Sequence, residues 1–247
     1  RSKKGMDKAM TALATPYLNQ FGDDLTMSAQ FGQLEACVAR EKETEEIFTI
    51  IDGGGQNVLL AGDHGIGKRS IIEGITDRMI SDDVPPRLRD KRLVRLSISS
   101  LLAGTTPAGA VERLIGIMND ITRARNVILY INNIHELMGV SAGGGEGSLD
   151  VADTLAEYLK SGRFLTLATI TDEEYARHMA NSTLNNVFTK VEIKEMNENQ
   201  AIQVLESRVG LLEYKQNVFF AYDALEKAVQ LAKRFLHDNF LPGNALE

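Results

Sequence analysis

The chain has 247 residues, 43% hydrophobic and 25% charged, enough for one large core and a small second domain. Its net charge of −7 argues against a general nucleic-acid binder, and no apolar run is long enough to span a membrane. The single cysteine, Cys37, excludes an internal disulfide, and His64, His135, His178 and His237 lack metal-ligand spacing.

Residues 1–17 read as a helical linker with a basic start, broken at Thr15-Pro16. A helix over 41–51 ends in the Gly53-Gly54-Gly55 turn. Strands and helices then alternate: strand 57–61, helix 68–80, strand 93–98, helix 109–122, strand 126–131, helix 149–160 and strand 164–169. That alternation predicts a parallel sheet with helices on both faces. Arg87, Arg89, Lys91 and Arg92 form a basic run, read as a solvated loop between a helix and the next strand. Ser141 to Ser148 (SAGGGEGS) reads as a flexible loop, and 187–191 as a fifth strand. From Asn197 the pattern is helical. Ala201, Ile202, Leu205 and Val209 form one apolar stripe; Leu225, Ala228, Val229, Ala232, Phe235 and Leu236 form another.

The chemistry is carried by Gly62-Asp63-His64-Gly65-Ile66-Gly67-Lys68, which follows the apolar strand Asn57-Val58-Leu59-Leu60-Ala61. This is a P-loop: backbone N–H groups wrap phosphates, the next helix points its positive end at them, and Lys68 neutralises charge. The hydroxyl that should follow the lysine, to hold Mg²⁺, is Arg69, a cation with no acceptor. Ser70 lies about 100° further round the helix, so its hydroxyl is expected to face elsewhere. The buried strand NVILYI ends in Asn132-Asn133 instead of the acidic pair that positions the metal and activates water. These amides supply neither charge nor base and read as caps of the strand-to-loop turn. His135 and Glu136 follow closely and are candidates for a substitute base, but a His and Glu in a polar loop read rather as solvated.

In order and spacing these motifs resemble the first ATPase module of Clp-type AAA+ unfoldases, from about Leu18 to Glu247. Val38-Ala39-Arg40 matches an entry segment that lies against adenine in the family, with Ala39 where the family has Gly. Val84-Pro85, Ser99 to Gly104, Glu112-Arg113-Leu114, Ser161 to Phe164, Asp172 to Tyr175 and Leu241-Pro242 continue the match. Against the same pattern, the polar sensor falls on Ile170, or on Thr171 with a register one residue later. The arginines that reach a neighbouring subunit are absent from Leu184-Asn185-Asn186-Val187-Phe188, and Pro107 stands at the aromatic position of the pore loop.

The resemblance implies an α/β AAA+ P-loop fold with a linker (1–17), a large nucleotide-binding domain (18–195) and an incomplete helical lid (196–247). It implies a module of a protein-remodelling chaperone assembly, with nucleotide contacts from Val38, Ala39, Arg40, Gly62, Asp63, His64, Gly65, Ile66, Gly67, Lys68, Arg69 and Ser70. The departures imply a pseudo-ATPase with no catalytic residue and no metal ligand; ATP or ADP is the expected cofactor, with Mg²⁺ weakly held or absent. The alternative is an active, non-standard ATPase that drives protein unfolding. Expected partners are other AAA+ modules, a Clp-type assembly or further copies of the chain, with no nucleic acid and no membrane. The chain starts at Arg1 and stops in a helical pattern, so it reads as a fragment of a cytoplasmic protein, or of an organellar one if a transit peptide precedes it.

Overall fold

In a computed structural model, the described residues are 13–138, 140, 150–236 and 239–246. The expected linker helix and the Ser141 to Ser148 loop fall almost wholly outside them. Six strands form one sheet: β1 (Gly22–Asp24), β2 (Asn57–Ala61), β3 (Arg92–Leu96), β4 (Val127–Ile131), β5 (Leu165–Ile170) and β6 (Thr189–Glu192). Their order is β1-β3-β4-β5-β2-β6, all parallel except β1 against β3.

Strand residues alternate between two cores. Leu59, Ala61, Val94, Leu129, Ile131 and Ala168 face helices Pro107–Ala124 and Val151–Lys160. Val58, Leu60, Leu93, Ile128, Tyr130 and Leu167 face helices Glu41–Asp52 and Lys68–Ile80. Because both faces are covered, the central strands are buried at every position, which is why they read as continuous apolar runs.

β1 has no counterpart in the sequence reading. Its residues, Gly-Asp-Asp, are depleted in strands. The strand is held from outside: Asp24 pairs with Arg92 at 2.8 Å and Asp23 with Arg95 at 2.8 Å. These charges also blunt the sheet edge. The basic run is likewise corrected, because it is structural rather than a solvated loop. Arg87 donates to the Ile51 and Gly55 carbonyls at the end of helix Glu41–Asp52. Arg89 donates to the Val84 carbonyl and Lys91 to the Arg125 carbonyl. Helix ends and turns leave carbonyls without partners, and these cations satisfy them.

Helices Glu198–Gln216 and Tyr222–Phe235 form a separate small core: Ala201, Ile202, Val204, Leu205, Leu225 and Val229 pack with Ala39, Met196 and Leu241. The second apolar stripe is shorter than expected, since Ala228, Phe235 and Leu236 are exposed. The first helix opens with a reciprocal capping box between Asn197 and Gln200.

Candidate functional site

The sheet places the P-loop at the carboxyl end of β2, beside β5, where strand order reverses and ligands of open α/β sheets bind. Gly62, Gly65 and Gly67 have φ of 155°, 76° and 94°. A Cβ on Gly62 would lie 2.3 Å from the Ile193 carbonyl oxygen, so this turn needs glycine twice over. Gly67 caps helix Lys68–Ile80, whose N-terminus faces a cavity of about 300 Å³.

That cavity lies between the P-loop and the lid. The predicted residues that line it are Val38, His64, Gly65, Ile66, Gly67, Lys68, Arg69, Ser70, Asn132 and Asn133. Ser70 is thus part of the wall. Gly62 and Asp63 shape the loop from behind, and Lys68 Nζ donates to their carbonyls at 2.5 and 2.7 Å. Burial pushes the Lys68 ammonium down to about 8, opposed by the nearby charges of Asp172 and Asp63.

Ala39 and Arg40 serve the cavity indirectly. Ala39 sits at φ 58°, the left-handed region that accounts for glycine in the resemblance. Its carbonyl accepts from Gln200 of the lid. Arg40 is buried; it pairs with Glu43 and donates to the Ile66 carbonyl and, at 2.9 Å, to the Lys194 carbonyl. It thus ties the P-loop to the segment leading into the lid.

Three of the departures, Arg69, Asn132 and Asn133, make bonds within the module. Arg69 Nε lies 2.6 Å from Glu73 Oε1, one helical turn on, and the other oxygen of Glu73 accepts from the Glu35 amide. Asn132 Oδ1 accepts from Thr169 Oγ1 at 2.9 Å and from the Tyr130 hydroxyl at 3.0 Å. Asn133 adopts φ 52°, donates from its backbone to Thr169 and from its amide to Glu136. Glu136 is thereby engaged in the turn. Ile170 is fully buried in the core, while Thr171 lines the cavity. Asn186 is exposed in the short helix Thr183–Val187, and Pro107 opens helix Pro107–Ala124 after the Thr106 cap.

The sequence reading missed the lid side of the cavity: Met196, Val204, Arg208, Pro242 and Leu246. Arg208 is tied across to Glu35 at 2.5 Å. The chain also turns back on the P-loop here, with Phe240 N–H donating to the His64 carbonyl and Gly243 N–H to the Gly65 carbonyl. The amphipathic helices signalled a lid, but no local pattern said which of its residues face the loop.

A family model described as an AAA lid domain matches residues 197–247. Over 99% of this chain, the chaperone protein ClpB of Oceanobacillus iheyensis is 32% identical. The Bacillus subtilis negative regulator of genetic competence ClpC/MecB is 33% identical over 94%. The S. cerevisiae Hsp104:casein complex superposes with a TM-score of 0.81 at 32% identity, covering 93% of this chain and 39% of that one. This chain is a Clp-type AAA+ module. It spans only 30% and 29% of the two curated relatives, so the module corresponds to a part of such proteins. A second S. cerevisiae structure, an Hsp104-ADP complex, gives a TM-score of 0.80 at 31% identity, over 93% of this module and 32% of that chain.

Proposed function

We propose that the module binds ATP or ADP between its P-loop and lid, does not hydrolyse it, and acts as a structural or regulatory part of a Clp-type protein-remodelling assembly. The observation that carries this reading is the state of the chemical positions. The glycine turn and Lys68 are in place at the cavity, while Arg69, Asn132 and Asn133 are each engaged in hydrogen bonds within the module. A bound nucleotide would place its phosphates at the N-terminus of helix Lys68–Ile80 and its base against Val38, Met196, Val204 and Leu246.

The donor set fits a nucleotide better than a divalent cation. Arg69 and the two asparagines offer no carboxylate, and among the described residues no cluster of three or more His, Cys, Asp or Glu exists. Mg²⁺ is therefore expected to contribute little. Bound nucleotide stabilises the fold by mass action, about 2.7 kcal/mol at a hundredfold excess over Kd. The similar S. cerevisiae Hsp104 structures are complexes with casein and with ADP, which favours a role in handling protein substrates with nucleotide as ligand. Among the described residues no helix is long and apolar enough to cross a membrane, and the proposed setting is the cytoplasm or an organelle matrix.

Calorimetric titration with ATP and ADP, with and without Mg²⁺, tests the binding. Saturable binding that Lys68→Ala removes is the expected result. A phosphate-release assay tests the second half: Mg²⁺-dependent turnover that disappears in Lys68→Ala would establish an active ATPase and overturn the proposal.

A further inference from the structure

A second cavity, of about 360 Å³, opens at the amino ends of the strands, opposite the P-loop. Its walls come from the segments entering three strands: Gln56 before β2, Pro86, Arg87, Arg89 and Lys91 before β3, and Gly162 to Leu165 at the start of β5. Four cations line it, Arg87, Arg89, Lys91 and Arg163, and no carboxylate does. Among the described residues none of the four forms an ion pair. Arg87, Arg89 and Lys91 hold only backbone carbonyls, and Arg163 makes no hydrogen bond. The nearest acids by sequence or shared wall are the exposed Asp90 and, in a neighbouring cavity that also includes Arg89, Glu45, Asp52, Asp82 and Asp83.

Such a concentration of unpaired positive charge is unusual in a chain of net charge −7. Four like charges around one hollow repel unless an anion joins them. Lys91 feels this directly: burial lowers its affinity for a proton, and the Arg87 charge lowers it further. The carbonyls already bonded take one or two of each side chain's donors, and a guanidinium carries five. A further acceptor, Gln56 Oε1, is buried without a partner beside Gly162 on the same wall.

We propose that this cavity is an anion site, distinct from the P-loop, that takes the phosphate group of a small phosphorylated ligand. A dianion with three acceptor oxygens matches several converging cations, whereas a single carboxylate would leave most of them uncompensated. The volume lies within the range of about 300–1,000 Å³ typical of small-molecule sites. Gln56 Oε1 then accepts from a hydroxyl of the ligand or from a protonated phosphate oxygen.

The test uses inorganic phosphate and phenyl phosphate as probes, titrated calorimetrically against chloride at matched ionic strength. Lys68→Ala, which silences the P-loop, is the background, so this experiment stands whether or not the P-loop binds nucleotide. Saturable binding is expected in that background, weakened about tenfold by adding Arg163→Gln, the loss of one charged hydrogen bond. Arg163 holds nothing in the fold, so that variant should melt with its parent; Lys91→Gln provides a second removal. A tighter phenyl phosphate marks an ester as the ligand, and equal affinities mark free phosphate; both support the site. No saturable binding beyond chloride, or binding unchanged by Arg163→Gln, would overturn it.

Discussion

Restoring the P-loop hydroxyl by Arg69→Thr should destabilise the module. Arg69 Nε approaches Glu73 Oε1 to 2.6 Å, and the Glu73 side chain is 3% exposed. Without the guanidinium, a buried carboxylate keeps only the Glu35 amide, at 3.1 Å. A hydrogen bond to a charged group contributes about 1.5–3 kcal/mol. Arg69 itself is 65% exposed, so solvent screening pulls the value toward the lower end. The expected loss is about 1–2 kcal/mol, which lowers Tm by about 2–8 °C in a domain of this size. Thermal melts of the wild type, Arg69→Thr, Glu73→Gln and the double variant form a cycle, and a coupling near 1 kcal/mol is expected for groups in contact. If Arg69→Thr melts within about a degree of the wild type and the coupling is below about 0.5 kcal/mol, the pair does not stabilise the fold and the argument fails.

Other consequences follow from the same geometry. Lys68 titrates near 8 in the free module, and bound phosphates should raise that value, so ATP affinity is flat below pH 8 and weakens as pH rises through it. Titrations from pH 6.5 to 9.5 check this, and an affinity that climbs above pH 8 contradicts it. The same depressed value makes the Lys68 contribution to stability grow between about pH 8 and 10.5, because the unfolded chain then binds more protons. Ala39→Gly should be close to neutral: relief of about 1–2 kcal/mol of left-handed strain is offset by about 0.4–1 kcal/mol of chain entropy and about 0.8 kcal/mol for the buried methyl. A Tm change above about 4 °C either way, measured by calorimetry, would show that one of these terms is misjudged. Combining Arg69→Thr with Asn132→Asp should make ATP affinity depend on Mg²⁺, and identical titration curves with and without the metal would refute that.

What was legible in the sequence were the features written in short-range pattern. β2, β4 and β5 show as apolar runs because both faces of the sheet are covered, and the P-loop shows because only glycine adopts those angles. β1 was invisible because tertiary ion pairs, not its own residues, make Gly22–Asp24 a strand. Arg87 and Lys91 looked solvated because the carbonyls they satisfy lie 36 and 34 residues away. The lid side of the cavity was hidden for the same reason: Arg208 meets Glu35 across 173 residues. Ile170 ends strand β5 inside the core and Thr171, the next residue, lines the cavity, a difference that only the fold around the strand end decides.

The pattern of bonds also bears on how the missing chemistry should be read. A side chain that replaces a catalytic group and points idly into solvent is easily reversed by one further change. Here Asn132 accepts two hydroxyl hydrogen bonds and Arg69 neutralises a buried acid. Asn133 turns the chain through a left-handed residue that amides tolerate better than most. Arg69 and Asn133 contribute to the stability of their surroundings, so reverting either costs fold energy before it returns any function, whereas Asn132→Asp keeps both acceptor bonds. A metal site and an attacking water need at least two of these positions at once. Single reversions at Arg69 or Asn133 are therefore expected to lose stability, no single reversion is expected to gain turnover, and only a combined set carries a fair test of whether the fold still supports hydrolysis.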